Sequence, residues 1–489
     1  MDNKAGLGDD ASSPYLPPAH AYKYFDDLTK ILYNRHMRIH MLSIGTTGDV
    51  RPMVLLGKEL KRRGHIVQIA AFEPLGAVIR DAGLLFYCLP GDVYNFISEL
   101  IKPGTSPVTI LSGVTRTLAP LAEPFLTALL DASKDADALA LSYFGSIGYS
   151  IAEKLRIPCF QMHFYPMDSN KDVPVSVAPR LQLGPAYNLL TYSLAYLAVG
   201  SVEYMYVRKW RQRNGMRVQR IRTRPNYTVG QWDIPVMYAI SPQIMPPCPN
   251  WPRNIHMVGF LQPMEMEEFD PPASLTAFLA NEPEKTVYVG FGSMRSGDMR
   301  EALRLFAQAL LRLNLKAVVY KGWADLAAQE SDEYGAVGNA VSLPNNIYLA
   351  NYIPHSWLFP RVAAVVHHGG AGTTAAGLYA GKPTLIVPFG GDQPFWGHQI
   401  YNRGLGPRPI PRDKLTLQRL MRALYTLVNN PVYKENAQYI SRHLQLENAA
   451  VTASDVIEAE YASFSKTLAD VRQKKRLRTR PVGRLKRMP

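Results

Sequence analysis

The stretch HHGGAGTTAAGLYAGKPTLIVPFGGDQP (367–394) holds the side chains whose types and spacing best suit chemistry. It opens at the end of an apolar run, turns on Gly369, Gly370 and Gly372, and enters a helical pattern at Thr373-Thr374. The first turn of a helix carries backbone N–H groups without intrahelical partners, with the positive end of the helix dipole behind them. Such a turn suits a phosphate anion. The glycines allow close backbone approach, the hydroxyls of Thr373 and Thr374 add donors, and His368 can add another. Gly381 and then Pro383 end the helix. A glycine-rich strand–helix turn can also serve packing alone. Asp392 and Gln393, at the end of the next apolar run, make the stretch more specific, because an acid and an amide beside a phosphate site can read sugar hydroxyls.

A second constellation, GTTGDVRP (45–52), follows the first apolar run of the chain. Asp49 stands there in a Gly-containing loop, where it can do chemistry or cap a helix starting at Pro52. Neither His367 nor His368 suggests a metal centre: neighbours in an extended chain point opposite ways, and no third ligand lies at helical spacing. His163, closing the run PCFQMHF (158–164), is either a contact for a bound molecule or a satisfied structural histidine.

The elements that position these residues alternate between strand and helix. In the first half, apolar runs at 38–45, 66–72, 84–90, 138–142 and 158–164 read as buried strands, with a helix over 52–64. The second half repeats the scheme, with strands at 286–293, 316–322, 346–352, 363–370 and 384–391 and an amphipathic helix at 300–313. This is the βαβ alternation of parallel sheets with helices on both faces, and ligands there sit beyond the carboxyl ends of the strands. A Pro-rich stretch separates the halves. The expected division is a polar arm (1–36), a first Rossmann-like domain (37–260), a linker (261–275), a second Rossmann-like domain (276–430), helices packing back on the first domain (431–465) and a basic tail (466–489).

The two motifs, in this order and one per domain, resemble the signatures of nucleotide-sugar glycosyltransferases of the GT-B fold, especially the sterol 3-β-glucosyltransferases and their macrolide and glycopeptide relatives. The resemblance spans most of residues 37–430. It implies an α/β GT-B architecture, two doubly wound domains facing a cleft. It also implies an inverting hexosyltransferase that uses a nucleotide sugar, UDP-glucose, as co-substrate, with no cofactor and no metal. His368, Gly370, Gly372, Thr373 and Thr374 would hold the donor diphosphate, and Asp392 and Gln393 the sugar. Tyr352 matches the place where plant members stack a Trp on uracil, and the backbone of Ile353 would bond the base. Ser293 would face the phosphates or sugar, with Trp323 a further residue of the nucleotide pocket. Asp49, in the loop with Gly48, would be the general base that takes the acceptor's proton.

The tripeptide Asp135-Ala136-Asp137 resembles the metal motif of a different glycosyltransferase fold. Here it precedes an apolar run instead of following one, so it is expected to be solvated surface. Thr47 replaces the Arg usual in the family, and the family's acceptor-region stretch is YPMDSNKDVP (165–174) here. The acceptor is therefore a small lipophilic alcohol of open identity: a sterol, a terpenoid or a polyketide. Another nucleotide (deoxy)sugar, or a non-catalytic sugar-nucleotide-binding protein, is the alternative reading.

Composition sets outer limits. The 489 residues carry a formal net charge of +14. Nine Lys or Arg fall within 472–489, so about +5 remains elsewhere, and the basicity is no sign of nucleic-acid binding. Three scattered cysteines, Cys88, Cys159 and Cys248, form no disulfide framework or zinc spacing and suit a reducing compartment. No apolar signal segment opens the sequence, so a cytoplasmic monomer is expected, with the tail a solvated, irregular segment or, as the alternative, a weak contact for anionic membrane. The segment 184–207 is apolar but interrupted by Glu203 and several polar residues, and reads as a buried or interfacial helix, not a membrane span.

Overall fold

The computed structural model describes residues 36–91, 122–142, 147–175, 178, 181, 183–218, 228–229, 232–263, 268–291, 299–320 and 344–478. Ser293, Trp323, almost all of the expected N-terminal arm and residues 479–489 lie outside them.

Strands buried on both faces read as continuous apolar runs, and those runs build two parallel sheets. The first contains β1 (Arg38–Leu42), β2 (Ile66–Phe72), β3 (Leu85–Leu89), β4 (Ala138–Leu141), β5 (Cys159–His163), β6 (Val236–Tyr238) and β7 (Ile255–Met257), in the order β3-β2-β1-β4-β5-β6-β7. Its helices are α1 (Thr47–Arg62), α2 (Gly76–Asp81), α3 (Ala122–Ala132), α4 (Tyr149–Leu155) and the long α5 (Pro185–Arg213). The second half adds α6 (Ala273–Ala280), β8 (Thr286–Gly290), α7 (Met299–Arg312), β9 (Lys316–Tyr320), β10 (Ile347–Ala350), α8 (His355–Leu358), β11 (Ala364–His367), α9 (Ala371–Tyr379), β12 (Thr384–Ile386), α10 (Gln393–Asn402) and α11 (Leu417–Asn429). Its sheet runs β10-β9-β8-β11-β12.

Each sheet reverses its strand order once, between β1 and β4 in the first and between β8 and β11 in the second. A crevice opens at the carboxyl end of such a reversal, because the flanking connections leave in opposite directions. The two glycine-containing turns emerge at these points. The register pairs Gly290 with His367, so the turn starting at His368 leaves directly beside the end of β8.

The two sheets are joined by shared apolar packing. Val236, Tyr238, Ile240 and Phe260 share one buried cluster with Ala375, Leu378 and Trp396. The chain then closes on itself through α12 (Pro431–Leu444) and α13 (Ala449–Arg478). Ala449, Ala453, Ile457 and Phe464 of α13 join the core of the first sheet, and Ala437 and Leu444 of α12 lie in the cluster shared with Val236 and Tyr238. Arg63 ties this return, pairing with Asp455 at 2.6 Å and Glu458 at 2.7 Å. The helix α12 also holds to the second half, where its Ser441 hydroxyl donates to the Tyr379 carbonyl at 2.6 Å. The helical backbone of α13 continues through Arg478, into the run expected to be an irregular tail.

Asp135 is exposed and Asp137 half-buried, as expected of surface residues, but both are engaged. Arg38 binds both, through its guanidinium to Asp135 and its backbone N–H to Asp137 at 2.9 Å. The pair therefore anchors the start of β1. Among the described residues, no helix is long and apolar enough to cross a membrane.

Candidate active site

The helix α1 starts five residues before Pro52, and this changes the setting of Asp49. Thr46 is the N-cap, and Asp49 is the third helical residue of a capping box with it. Asp49 is thus neither a loop residue nor the cap. Its Oδ2 accepts the Thr46 N–H at 2.7 Å and the Thr46 hydroxyl at 3.1 Å, while Gly48 N–H donates to Thr46 Oγ1 at 3.1 Å. No neighbouring residue among those described bonds Oδ1. Burial pushes the Asp49 carboxyl up to about 6, against the pull of the Thr46 bonds. Gly45 makes room for it: with φ +146°, a Cβ there would lie 2.2 Å from Asp49 Oδ2.

The opposing turn has no such box. Gly369 takes φ +98°, and Gly370 caps α9 in an extended conformation without a side chain to offer. The first intrahelical bond runs from Thr374 N–H to Gly370 O at 2.9 Å, so the N–H groups of Ala371, Gly372 and Thr373 have no intrahelical acceptor. The two histidines divide the work. His367 is fully buried and accepts the Gly369 N–H on Nδ1 at 2.9 Å, which fixes the turn. The ring of His368 stands nearly perpendicular to it, at 83°. Its Nδ1 is buried and lacks a hydrogen-bond partner among the described residues. Burial lowers His368 to about 4, with only the Gly290 backbone opposing. Burial thus favours the neutral imidazole over the cation.

Thr374 departs from expectation. It is fully buried, and its hydroxyl donates to Gly370 O at 2.9 Å, so it turns no donor toward a phosphate. Gln393 is also occupied: its carboxamide oxygen accepts the N–H groups of Phe389 at 2.7 Å and Gly390 at 3.2 Å, bracing the loop before α10. Asp392 is better placed for a ligand. It is the N-cap residue of α10 but does not cap with its side chain, and Oδ2 accepts Trp396 Nε1–H at 2.9 Å. Burial pushes it up to about 6, and the charge of Asp49 adds to the rise. The two carboxylates therefore act on each other across the cleft.

Tyr352 is 50% exposed just after β10, and Ile353 is buried behind it. Three contributors here were missed in the sequence. Arg51, from α1, reaches across the cleft to donate Nη2–H to the Tyr352 hydroxyl at 3.3 Å, its guanidinium 5.4 Å from the ring centre. Gln262, in the connection between the halves, donates to the Gly372 carbonyl at 3.1 Å. Thr46 orients Asp49. Both Thr46 and Arg51 lie inside the 45–52 motif, and the Thr46-x-x-Asp49 spacing was the available signal.

His163 is packed into the first domain. It is 3% exposed and stacks on Tyr238, which stacks in turn on Trp251 with ring centres 5.0 Å apart. Burial lowers its imidazole to about 3, so it is a poor proton acceptor. Among the described residues, no group of three or more His, Cys, Asp or Glu could hold a metal ion.

The model of the glycosyltransferase family 28 N-terminal domain matches residues 39–171, and that of the erythromycin biosynthesis protein CIII-like C-terminal domain matches residues 332–456. A sterol 3-beta-glucosyltransferase of Arabidopsis thaliana is 32% identical over 460 residues, covering 91% of this chain and 69% of its own. The chain belongs to the sterol 3-β-glucosyltransferase family. A Komagataella phaffii sterol 3-beta-glucosyltransferase is 31% identical over 91% of this chain, which spans only 36% of that fungal relative. Among solved structures, the calicheamicin glycosyltransferase CalG4 superposes with a TM-score of 0.63 at 17% identity, covering 87% of this chain and 98% of that one. The glycosyltransferase VinC, in complex with DTDP, gives 0.59 at 21% identity, covering 87% and 100%. The fold of this family member is thus the GT-B arrangement of two parallel α/β sheets. Family membership makes it a hexosyltransferase.

Proposed function

We propose that this glycosyltransferase moves glucose from UDP-glucose to the hydroxyl of a sterol or similar lipophilic alcohol, with inversion and without a metal ion. The observation that carries the reading is the pairing of two helix N-termini across one cleft. One holds a carboxylate raised to about 6, and the other ends on an uncapped glycine turn beside a neutral histidine. A carboxyl near 6 is ionised at neutral pH yet basic enough to take a proton, which suits a general base.

In this reading the acceptor oxygen attacks the anomeric carbon while its proton passes to Asp49. Thr46 holds Oδ2, so Oδ1 is the receiving atom. The bond from the anomeric carbon to the diphosphate breaks, and the leaving charge settles on the N–H groups of Ala371, Gly372 and Thr373 and on His368. Asp392 holds sugar hydroxyls. Tyr352 stacks on the uracil, and the Ile353 backbone bonds its edge. We also read the protein as a cytoplasmic monomer; the free thiols of Cys88, Cys159 and Cys248 support a reducing compartment.

Mass spectrometry of products from UDP-glucose and a panel of sterols, terpenoid alcohols and polyketides tests the reading, with dTDP-sugars run beside it. A hexosyl adduct formed equally well in EDTA is expected. Loss in EDTA with rescue by manganese would overturn the metal-free mechanism, and no adduct with any acceptor would overturn the activity.

A further inference from the structure

The long helix α5 is apolar on two sides. Its inner side is pinned to the first domain: Asn188 Nδ2 donates to the Lys171 carbonyl at 2.7 Å, Val175 N–H donates to Thr191 Oγ1 at 3.0 Å, and Tyr192 and Trp210 are buried. Arg211 anchors the far end on Glu153 at 2.9 Å. The outer side carries Leu190, Leu194 and Leu197 at 55%, 58% and 44% exposure. Offsets of four and seven residues put the three on one stripe. Leu181 and Leu183, just before the helix, are also exposed. Continuing at offsets of 11, 14 and 18 from Leu190, the same stripe takes in Ser201, Tyr204 and Arg208. No charged residue holds a stripe position before Arg208. There the guanidinium lies 5.5 Å from the Tyr204 ring centre, and exposed Lys209 follows.

We propose that this stripe is a membrane-docking face that lies in the plane of an anionic bilayer surface. In that pose the leucines meet the acyl boundary, Tyr204 rests at the interface, and Arg208 and Lys209 reach out to the anionic headgroups. From Leu190 to Arg208 the face is about 27 Å long, enough to rest on a bilayer, while the helix is not apolar enough to span one. Exposed leucines in a row cost solubility unless something covers them. A fluid apolar phase covers a convex stripe without a shaped counterpart, and the terminal cations select anionic lipid. The inner side of α5 holds the loop after β5, so docking would bring the first domain close to membrane-dissolved alcohols. The inference rests on the lipophilic-acceptor reading for its purpose only. Vesicle partition is measured without turnover, so either can fail alone.

The test is sedimentation of the full chain with phosphatidylcholine vesicles, with and without phosphatidylserine. Wild type should bind, and more tightly with phosphatidylserine. The variant Leu190→Gln/Leu194→Gln/Leu197→Gln should partition about tenfold less or weaker, with unchanged turnover on detergent-dispersed acceptor. Arg208→Glu/Lys209→Glu should lose the phosphatidylserine preference. Leu194→Cys, carrying a polarity-sensitive dye in a Cys88→Ser background, should report an apolar environment when vesicles are added. Equal partition of the triple variant, or no dye response, would overturn the proposal. So would a wild-type dimer that the triple variant converts to monomer, because a second copy would then be the occupant.

Discussion

The two turns at the cleft share a plan and differ in one respect. Each follows a central parallel strand, bends on glycine and starts a helix. At α1 the helix N-terminus is closed by its own side chains, with Thr46 as cap and Asp49 returning a carboxylate to it. At α9 the cap is Gly370 and the end stays open. The same structural device thus yields two opposite sites. The closed end holds a fixed carboxylate beside backbone donors that orient it, and the open end offers its donors to an anion from outside. Closing the open end, or opening the closed one, should exchange function for stability in predictable directions.

Of the changes to donor binding, the largest is expected from Gly370→Asp. It places a carboxylate where the diphosphate would sit, and its Cβ would lie 2.7 Å from His368 Nε2, so that ring must shift. UDP affinity by calorimetry should fall by about 100-fold, whereas melting should change little, because Asp is a favoured cap. Wild-type UDP affinity would mean that the open end does not hold phosphate.

Acidification should act on the closed end. Asp49 is held up to about 6 by burial, so kcat/KM should drop about tenfold per pH unit well below pH 6 as the base is protonated. Stability should move the other way. A carboxyl raised in the folded chain makes the fold bind more protons than the unfolded chain, so stability falls as pH rises from about 4 to about 6 and stays lower above. A rate independent of pH from 5 to 8 would argue against a base of this kind.

Opening the closed end is gentler. Thr46→Ala removes the cap and one of the Asp49 bonds, and should cost about 1 kcal/mol in chemical denaturation. It should also lower kcat about tenfold through a looser Asp49. Unchanged kcat with the expected loss of stability would make Thr46 a cap only. Arg51→Ala is the smallest change. Losing a cation beside Tyr352 should weaken UDP binding about threefold, and less at high salt. Tighter UDP binding would mean that Arg51 blocks the base site instead of assisting it.

The open end was legible in the sequence because glycines, a strand before and a helix after are all local signals. The closed end was half legible. Pro52 invited a helix start at the proline, since proline favours that position, whereas the helix starts at Thr47. The box there uses Asp instead of Glu or Gln. The same kind of slip misplaced Thr374. Once α9 begins at Ala371, Thr374 is its fourth residue and returns its hydroxyl to the Gly370 carbonyl. Strands β6 and β7 are three residues each, in a Pro-rich stretch, too short for a periodic signal. Arg51 and Gln262 could not be placed, because their partners come from the other half of the chain.

The central claim is that the closed end holds the base and the open end binds the donor independently. Asp49→Asn tests it on one preparation, by single-turnover rate, UDP affinity and melting temperature. The amide keeps the Thr46 N–H bond but cannot take the acceptor proton. The account predicts a rate lower by about 10²–10⁴, UDP affinity within about twofold of wild type, and melting at pH 7.5 equal to or above wild type, since a raised carboxylate is removed. Near-normal turnover, or a loss of UDP affinity as large as the loss of rate, would contradict it.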